Sequence, residues 1–217
     1  MQEFELLSLS HFLGFCICLA AIVFIPKLIQ AKPGLENFSK YLLIFLLVEN
    51  QIRSTYVETL IKGGNLLENL PLHLCDFSAI VIAVFLLTGF RPLFIFAYFW
   101  GIAGAGMSIL TPDSEFAFPH YEYFATMYGH SLILLAVAFS IVNLGQRPYL
   151  KDIPKLIFYS SILLAIMYGI NYILGANYWY LNERPYGDNI LSLMPEPPVH
   201  MFIPVSYTHL TLPTKQP

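Results

Sequence analysis

Cys75 and His130 carry the most specific chemistry available to this 217-residue chain. A thiol attacks as its thiolate, and an imidazole within hydrogen-bond reach takes that proton and later returns it, the arrangement of acyl-transfer enzymes. Spacing alone leaves the alternative open, because a lone cysteine in an apolar helix is ordinarily a small buried hydrophobe. Other polar groups recur in the same greasy surroundings: Glu49, Asn50, Gln51, Arg53 and Glu58, then His73 and Asp76, and later Asn171. Glu49 and Arg53 are four apart and can pair along one helix face, either to neutralise charge at a site or to lock helix packing. His73 and Asp76 are three apart, which suits a carboxylate that orients an imidazole. His73, Asp76 and His130, with His120 or Glu122, are metal-ligating types, but no ligand-spacing motif joins them and no metal is expected. Cys16 and Cys18 lie in the middle of the first apolar run with no histidine or charge at equal depth, and are read as packing.

The elements that must position these groups are membrane spans. The chain is 57% hydrophobic and 12% charged, with a mean hydropathy of +0.63, where a soluble domain is about 45–50% apolar and about 25% charged. Its aromatic share of 16% suits a lipid-facing surface with interfacial belts. A bilayer core of about 30 Å needs about 20 apolar residues per helix. Six such runs are present, roughly 7–29, 41–61, 70–90, 92–110, 120–143 and 153–174. A seventh begins near Pro197 and Pro198 and stops short of spanning length. The string VSYTHLTLPTK resembles translated sequencing adapter, so 205–217 is read as a non-native tail and the seventh helix as truncated. The expected fold is therefore an all-α polytopic bundle, a single membrane domain over 1–204.

Basic residues set the orientation. Lys27, Lys32, Lys40, Arg91, Arg147, Lys151 and Lys155 fall in alternate connections, against Lys62 and Arg184 in the others, which places the N-terminus outside. The first run carries Glu3 and Glu5 before it and no basic residue, so it reads as a retained helix and not a cleaved signal. The fourth connection is acidic, with Asp113 and Glu115, as an outer loop should be. A net charge of −3 without a basic block excludes nucleic acid as a main partner. At about 1.5 Å per residue, Cys75 stands about 8 Å and His130 up to about 15 Å inside their helix starts, with Arg53 about 12 Å from the end of its own. All fall in the outer half of the membrane, so a shared polar pocket is expected there. Ionisable groups at such depth normally face a bundle interior and mark a site. Gly101, Gly104, Ala105, Gly106 and Ser108 on the fourth helix permit a close neighbour. His120, Tyr121 and Tyr123 read as an aromatic rim.

The strings LPLHLC at 70–75, YFWG at 98–101 running to Leu110, Thr111 and Pro112, then His130, then NYILGANYWYLNERP at 171–185 resemble the YwaF-like family of bacterial integral membrane proteins. That family is similar to the vertebrate transmembrane protein 164 family. The resemblance covers about residues 40–200. It implies a seven-helix bundle in a bacterial cytoplasmic membrane and, from the vertebrate branch, a phospholipid acyltransferase that carries the acyl group on a cysteine with help from a histidine. Cys75 and His130 stand at the matching positions. The family's Trp- and Pro-rich entry to its last helix is replaced here by Met194, Pro195, Glu196, Pro197, Pro198, Val199 and His200.

The expectation is a thiol-dependent acyltransferase acting on phospholipid or lysophospholipid. Cys75 is the nucleophile, His130 the base, and His73 or Asn171 an oxyanion donor or orienter. Glu49, Arg53 and Asp76 surround them, with Arg53 able to meet a lipid phosphate. Membrane lipid is the expected partner, and no cofactor is required. The alternative is a transporter or ion-coupled carrier using the same charged cluster. The apolar inner halves, Tyr41 to Val48 and Phe77 to Leu87, disfavour a through-path.

Overall fold

The computed structural model describes residues 3–112 and 114–183. Arg184, Asp113, the seventh apolar run and the adapter-like tail lie outside the described residues. Among the described residues, six helices of 15 residues or more form the bundle: α1 (Leu9–Gln30), α2 (Glu36–Tyr56), α3 (Leu74–Thr88), α4 (Arg91–Leu110), α5 (Tyr121–Val142) and α6 (Ile153–Leu174). Among the described residues there is no strand, only an isolated bridge between Glu3 and Phe116.

Pro, Gly and capping residues punctuate the chain where the helices begin and end. Pro92 and Pro154 occupy the first turns of α4 and α6, where a missing N–H costs nothing. Gly89 and Gly175, at φ +70° and +65°, close α3 and α6 in the left-handed conformation that glycine adopts without strain. α2 starts earlier than its apolar run because the turn Pro33–Leu35 feeds straight into Glu36. It then runs on into a π-helical turn, Val57–Ile61. α3 starts later than expected, at Leu74, because the preceding segment bends, with the Leu72 N–H bonded back to the Leu70 carbonyl at 2.7 Å, and the extended His73 occupies the N-cap position.

Helices α3, α4 and α5 pack on one another, α1 lies along α5, and α2 leans on α3 and α5. The core between them is apolar and aromatic, with Ile82, Phe85, Phe94, Phe99 and Phe139 almost fully buried. Gly101 lets α5 approach α4, since a Cβ there would stand 3.1 Å from Ile133 Cγ2. α6 is tied to α4 by Trp100 Nε1 donating to Ser160 Oγ at 2.9 Å. Arg91 also grips Asp152, just before α6, through two bonds of 2.9 and 2.7 Å.

Among the described residues, four helical segments, Leu9–Gln30, Arg91–Leu110, Tyr121–Val142 and Leu150–Leu174, are long and apolar enough to cross a membrane. Their outward faces are the residues that a soluble fold would bury, such as Phe12, Ile17, Phe24, Phe158 and Ile173. The two helices outside that set are informative. α3 is short, and α2 carries Glu49 and Arg53 in its interior. These same two helices supply much of the polar site.

Candidate functional site

At the end of the bundle where α2 finishes and α3 and α5 begin, the three helices enclose a cavity of about 340 Å³. α2 contributes Asn50, Gln51, Arg53 and Ser54, the π turn adds Val57 and Glu58, and Lys62 closes the rim. Cys75 and Asp76 come from the first turn of α3. Tyr121, Glu122, Thr126, Gly129 and His130 come from α5. Cys75 and His130, 55 positions apart in sequence, therefore line one cavity.

Each of the two is held by its neighbours. His130 Nδ1 lies 2.7 Å from the Thr126 carbonyl, which only accepts, so the ring hydrogen sits on Nδ1 and the lone pair on Nε2. The Nε2 nitrogen is thereby left as the basic atom. Cys75 rests on α4 at Gly104, where a Cβ would stand 3.2 Å from Sγ, and the Ser108 hydroxyl interacts with the thiol. The small-residue run on α4 thus makes room for the sulfur as well as for α5.

Asp76, three residues after the cap, interacts with the backbone N–H of His73 and with the side-chain amide of Gln51. Gln51 is 8% exposed, and its Oε1 is buried with no hydrogen-bond partner, an available acceptor on the cavity lining. Arg53 organises the α2 side. Its Nε meets Glu49 at 3.2 Å, one terminal nitrogen donates to Asn50 Oδ1 at 2.5 Å, and the other donates to the Tyr121 hydroxyl. The guanidinium lies 5.8 Å from the ring centres of both Tyr121 and Tyr128.

Lys62 stands at the mouth, with Nζ 2.5 Å from Glu122 and 3.1 Å from Glu58. Partial burial opposes its charge, but the hydrogen bonds and field of Glu122 and Glu58 outweigh that and hold the ammonium above the ordinary lysine range. This bridge from the end of the π turn to α5 was not legible in the sequence, because the π turn that brings Lys62 to Glu122 has no periodic signature.

Several expected residues stand elsewhere. His73 is not part of the cavity lining: it is the extended cap of α3, and its ring packs on Tyr178 and Tyr180 at 5.0 and 5.7 Å. Asp76 meets the His73 backbone and not its ring, so the expected carboxylate–imidazole pair is replaced by a helix cap. Asn171 is 1% exposed, and its amide donates to the Tyr178 carbonyl at 2.9 Å and accepts from the Tyr178 N–H at 2.8 Å. Neither His73 nor Asn171 lines the cavity, whose donors include Asn50, Gln51, Arg53, Ser54, Lys62, Tyr121 and Thr126. Glu49 lies outside the cavity, on the outer face of α2, where it pairs with Arg53. Tyr123 is not a rim residue: it is 4% exposed and donates to the Ser10 carbonyl at 3.2 Å, under α1. Among the described residues no group of three or more His, Cys, Asp or Glu could hold a metal ion.

An all-helical bundle with several apolar membrane-length helices and a polar cavity at one end is the architecture of a multi-pass membrane protein. The chain belongs to the TMEM164 family, which it matches over residues 4–212. An uncharacterized protein of Treponema pallidum (strain Nichols) is 30% identical over 128 residues, covering 58% of this chain and 53% of that protein. The chain thus spans about half the length of the curated relative it matches. No solved structure matches it.

Proposed function

We propose that this protein is a membrane-embedded acyltransferase that moves a fatty acyl group between phospholipids through a thioester on Cys75. The observation that carries the reading is that Cys75 and His130 line one cavity, with the basic atom of His130 fixed by the Thr126 carbonyl. Family membership supports a membrane protein and is compatible with lipid as the substrate.

In the first half-reaction Cys75 Sγ bonds to the ester carbonyl carbon while His130 Nε2 takes the thiol proton. The resulting oxyanion is met by donors from the cavity lining, among which Asn50, Ser54 and Thr126 are neutral and Arg53 is charged. The carbon–oxygen ester bond then breaks, and His130 gives its proton to the departing lysophospholipid oxygen. In the second half-reaction a lysophospholipid hydroxyl attacks the thioester carbon and loses its proton to His130. The Cys75 sulfur leaves and is reprotonated. Gln51 Oε1, buried and without a partner, suits the hydroxyl of that acceptor lipid. Both halves balance without a cofactor.

With the N-terminus outside, the cavity opens in the outer half of a bacterial cytoplasmic membrane. The carrier alternative draws on the same charged cluster, but Phe85, Phe94 and Phe99 of α3 and α4 are buried in an apolar core, which disfavours a through-path. The test is transfer of a labelled acyl chain from phosphatidylcholine to a lysophospholipid in liposomes. Transfer abolished by Cys75→Ala and by His130→Ala is expected. Transfer that survives Cys75→Ala overturns the reading and returns the cluster to a carrier role.

A further inference from the structure

The seam between α2 and α5 is held above by an ion pair and below by close helix approach, and between them by the side chain of Arg53. Above, Lys62 bridges to Glu122 at 2.5 Å. Below, Gly129 lets α2 come so near that a Cβ there would stand 2.9 Å from Asn50 Nδ2. From Glu122 to Gly129 is seven residues, about 10 Å along α5. What fills that gap is the Arg53 side chain, bonded to Tyr121 and lying over Tyr121 and Tyr128. The α5 lip is aromatic, with Tyr128 stacked on Phe124 at 6.0 Å and Phe124 59% exposed.

Arg53 also borders the outer face of α2, formed by Phe45, Val48, Ile52 and Tyr56, all exposed. It is thus common to the cavity lining and to the lipid-facing surface. A charge at such a place is costly in hydrocarbon unless something polar meets it. Three of the five guanidinium N–H groups are engaged by Glu49, Asn50 and Tyr121, so two remain for a further anion. A phosphate accepts such bonds strongly.

We propose that the gap between α2 and α5 is a lateral portal through which a phospholipid of the surrounding leaflet reaches the cavity, with Arg53 as its door and as the contact for the lipid phosphate. The acyl chain passes between Arg53 and the Phe124–Tyr128 lip toward Cys75, while the headgroup stays at the level of Lys62 and Glu122. The proposal takes its ligand from the acyl-transfer reading, but it is tested by access to Cys75 and not by transfer.

The protein, with Cys16→Ala and Cys18→Ala so that Cys75 is the thiol followed, is placed in phosphatidylcholine liposomes. Alkylation of Cys75 is timed with two reagents: a long-alkyl maleimide that resides in the bilayer, and a charged methanethiosulfonate that stays in water. Arg53→Trp is expected to slow the bilayer reagent, and Arg53→Ala to speed it, each by about tenfold, equivalent to about 1.4 kcal/mol of barrier. The aqueous reagent should change little. Inorganic phosphate in the buffer should leave the rates unaltered, since the anion at Arg53 is carried by lipid; slowing by free phosphate would overturn the lipid assignment. Equal rates of the bilayer reagent in all three proteins, or parallel changes with both reagents, would overturn the portal in favour of entry through the mouth. If Arg53→Trp loses the fold, visible as unrestricted aqueous labelling, Phe124→Trp on the opposite lip carries the same expectation of slowing. A portal demonstrated in a protein that performs no transfer would sink the catalytic reading alone.

Discussion

Asn171→Ala separates a structural asparagine from a catalytic one. Its amide holds the Tyr178 backbone at both ends, N–H and C=O, in a site where Asn171 and Tyr178 are each 1% exposed. Alanine leaves both backbone groups buried without a partner, at about 1–3 kcal/mol each, so a loss of at least about 2 kcal/mol is expected. In a chain of about 200 residues that corresponds to roughly 4–8 °C in Tm. The consequence spreads further, because Tyr178 accepts the Leu70 N–H at 3.1 Å and donates to the Leu67 carbonyl at 2.7 Å through its hydroxyl. Trp179 Nε1 likewise donates to the Leu72 carbonyl at 2.8 Å. The loop 177–180 therefore straps down the segment that leads into Cys75. The assay is thermal denaturation of detergent-solubilised protein followed by size-exclusion fluorescence, with Cys75 alkylation measured in parallel. A Tm within about 1 °C of wild type would refute the reasoning, since no lost pair of buried bonds is that cheap.

Gly104→Ala should bring a methyl group to 3.2 Å from Cys75 Sγ and displace the thiol; acyl transfer should fall sharply while Tm changes little, read by the liposome assay and the melting curve together. Arg91→Lys removes the two-pronged grip on Asp152 and the bond to the Arg147 carbonyl, and a point-charge ammonium cannot replace the fork; destabilisation of about 1 kcal/mol is expected in the same melting assay. Lys62 is held above its unfolded value of 10.5 by Glu122 and Glu58, so its contribution to stability is complete below about pH 10 and is lost as pH rises through the folded value. The Tm difference between wild type and Lys62→Met should therefore shrink between pH 10 and higher pH, and a difference that is flat or grows there would contradict the assignment.

The apolar runs made most of the helices legible. The expected limits at 92–110 and 153–174 match α4 and α6 to within one residue, because Pro92 and Pro154 and the glycine after α6 mark those ends unambiguously. The start of α3 was misplaced by four residues, because apolarity continues through Leu70, Pro71 and Leu72 although the backbone there is held by Tyr178 and Trp179 and not by helix bonds. That error set Cys75 too deep: it lies in the first turn. Depth counting put Cys75, Asp76, Arg53 and His130 toward one end of the bundle, where they line one cavity. Which way a side chain turns did not follow. His73 and Asn171 lie near the right depth, but a capping position and an amide matched to a buried backbone claim them first. The bridge from Lys62 to Glu122 depends on the π turn that carries Glu58 and Lys62 round to α5, which no periodicity in the sequence announces.

The most direct test of the account is the mass of the Cys75 peptide from protein purified out of membranes fed an alkyne-tagged fatty acid. The account predicts an acyl adduct on Cys75 that hydroxylamine removes, absent in Cys75→Ala and altered in amount in His130→Ala. An unmodified Cys75 in protein that still transfers acyl groups between phospholipids would contradict it.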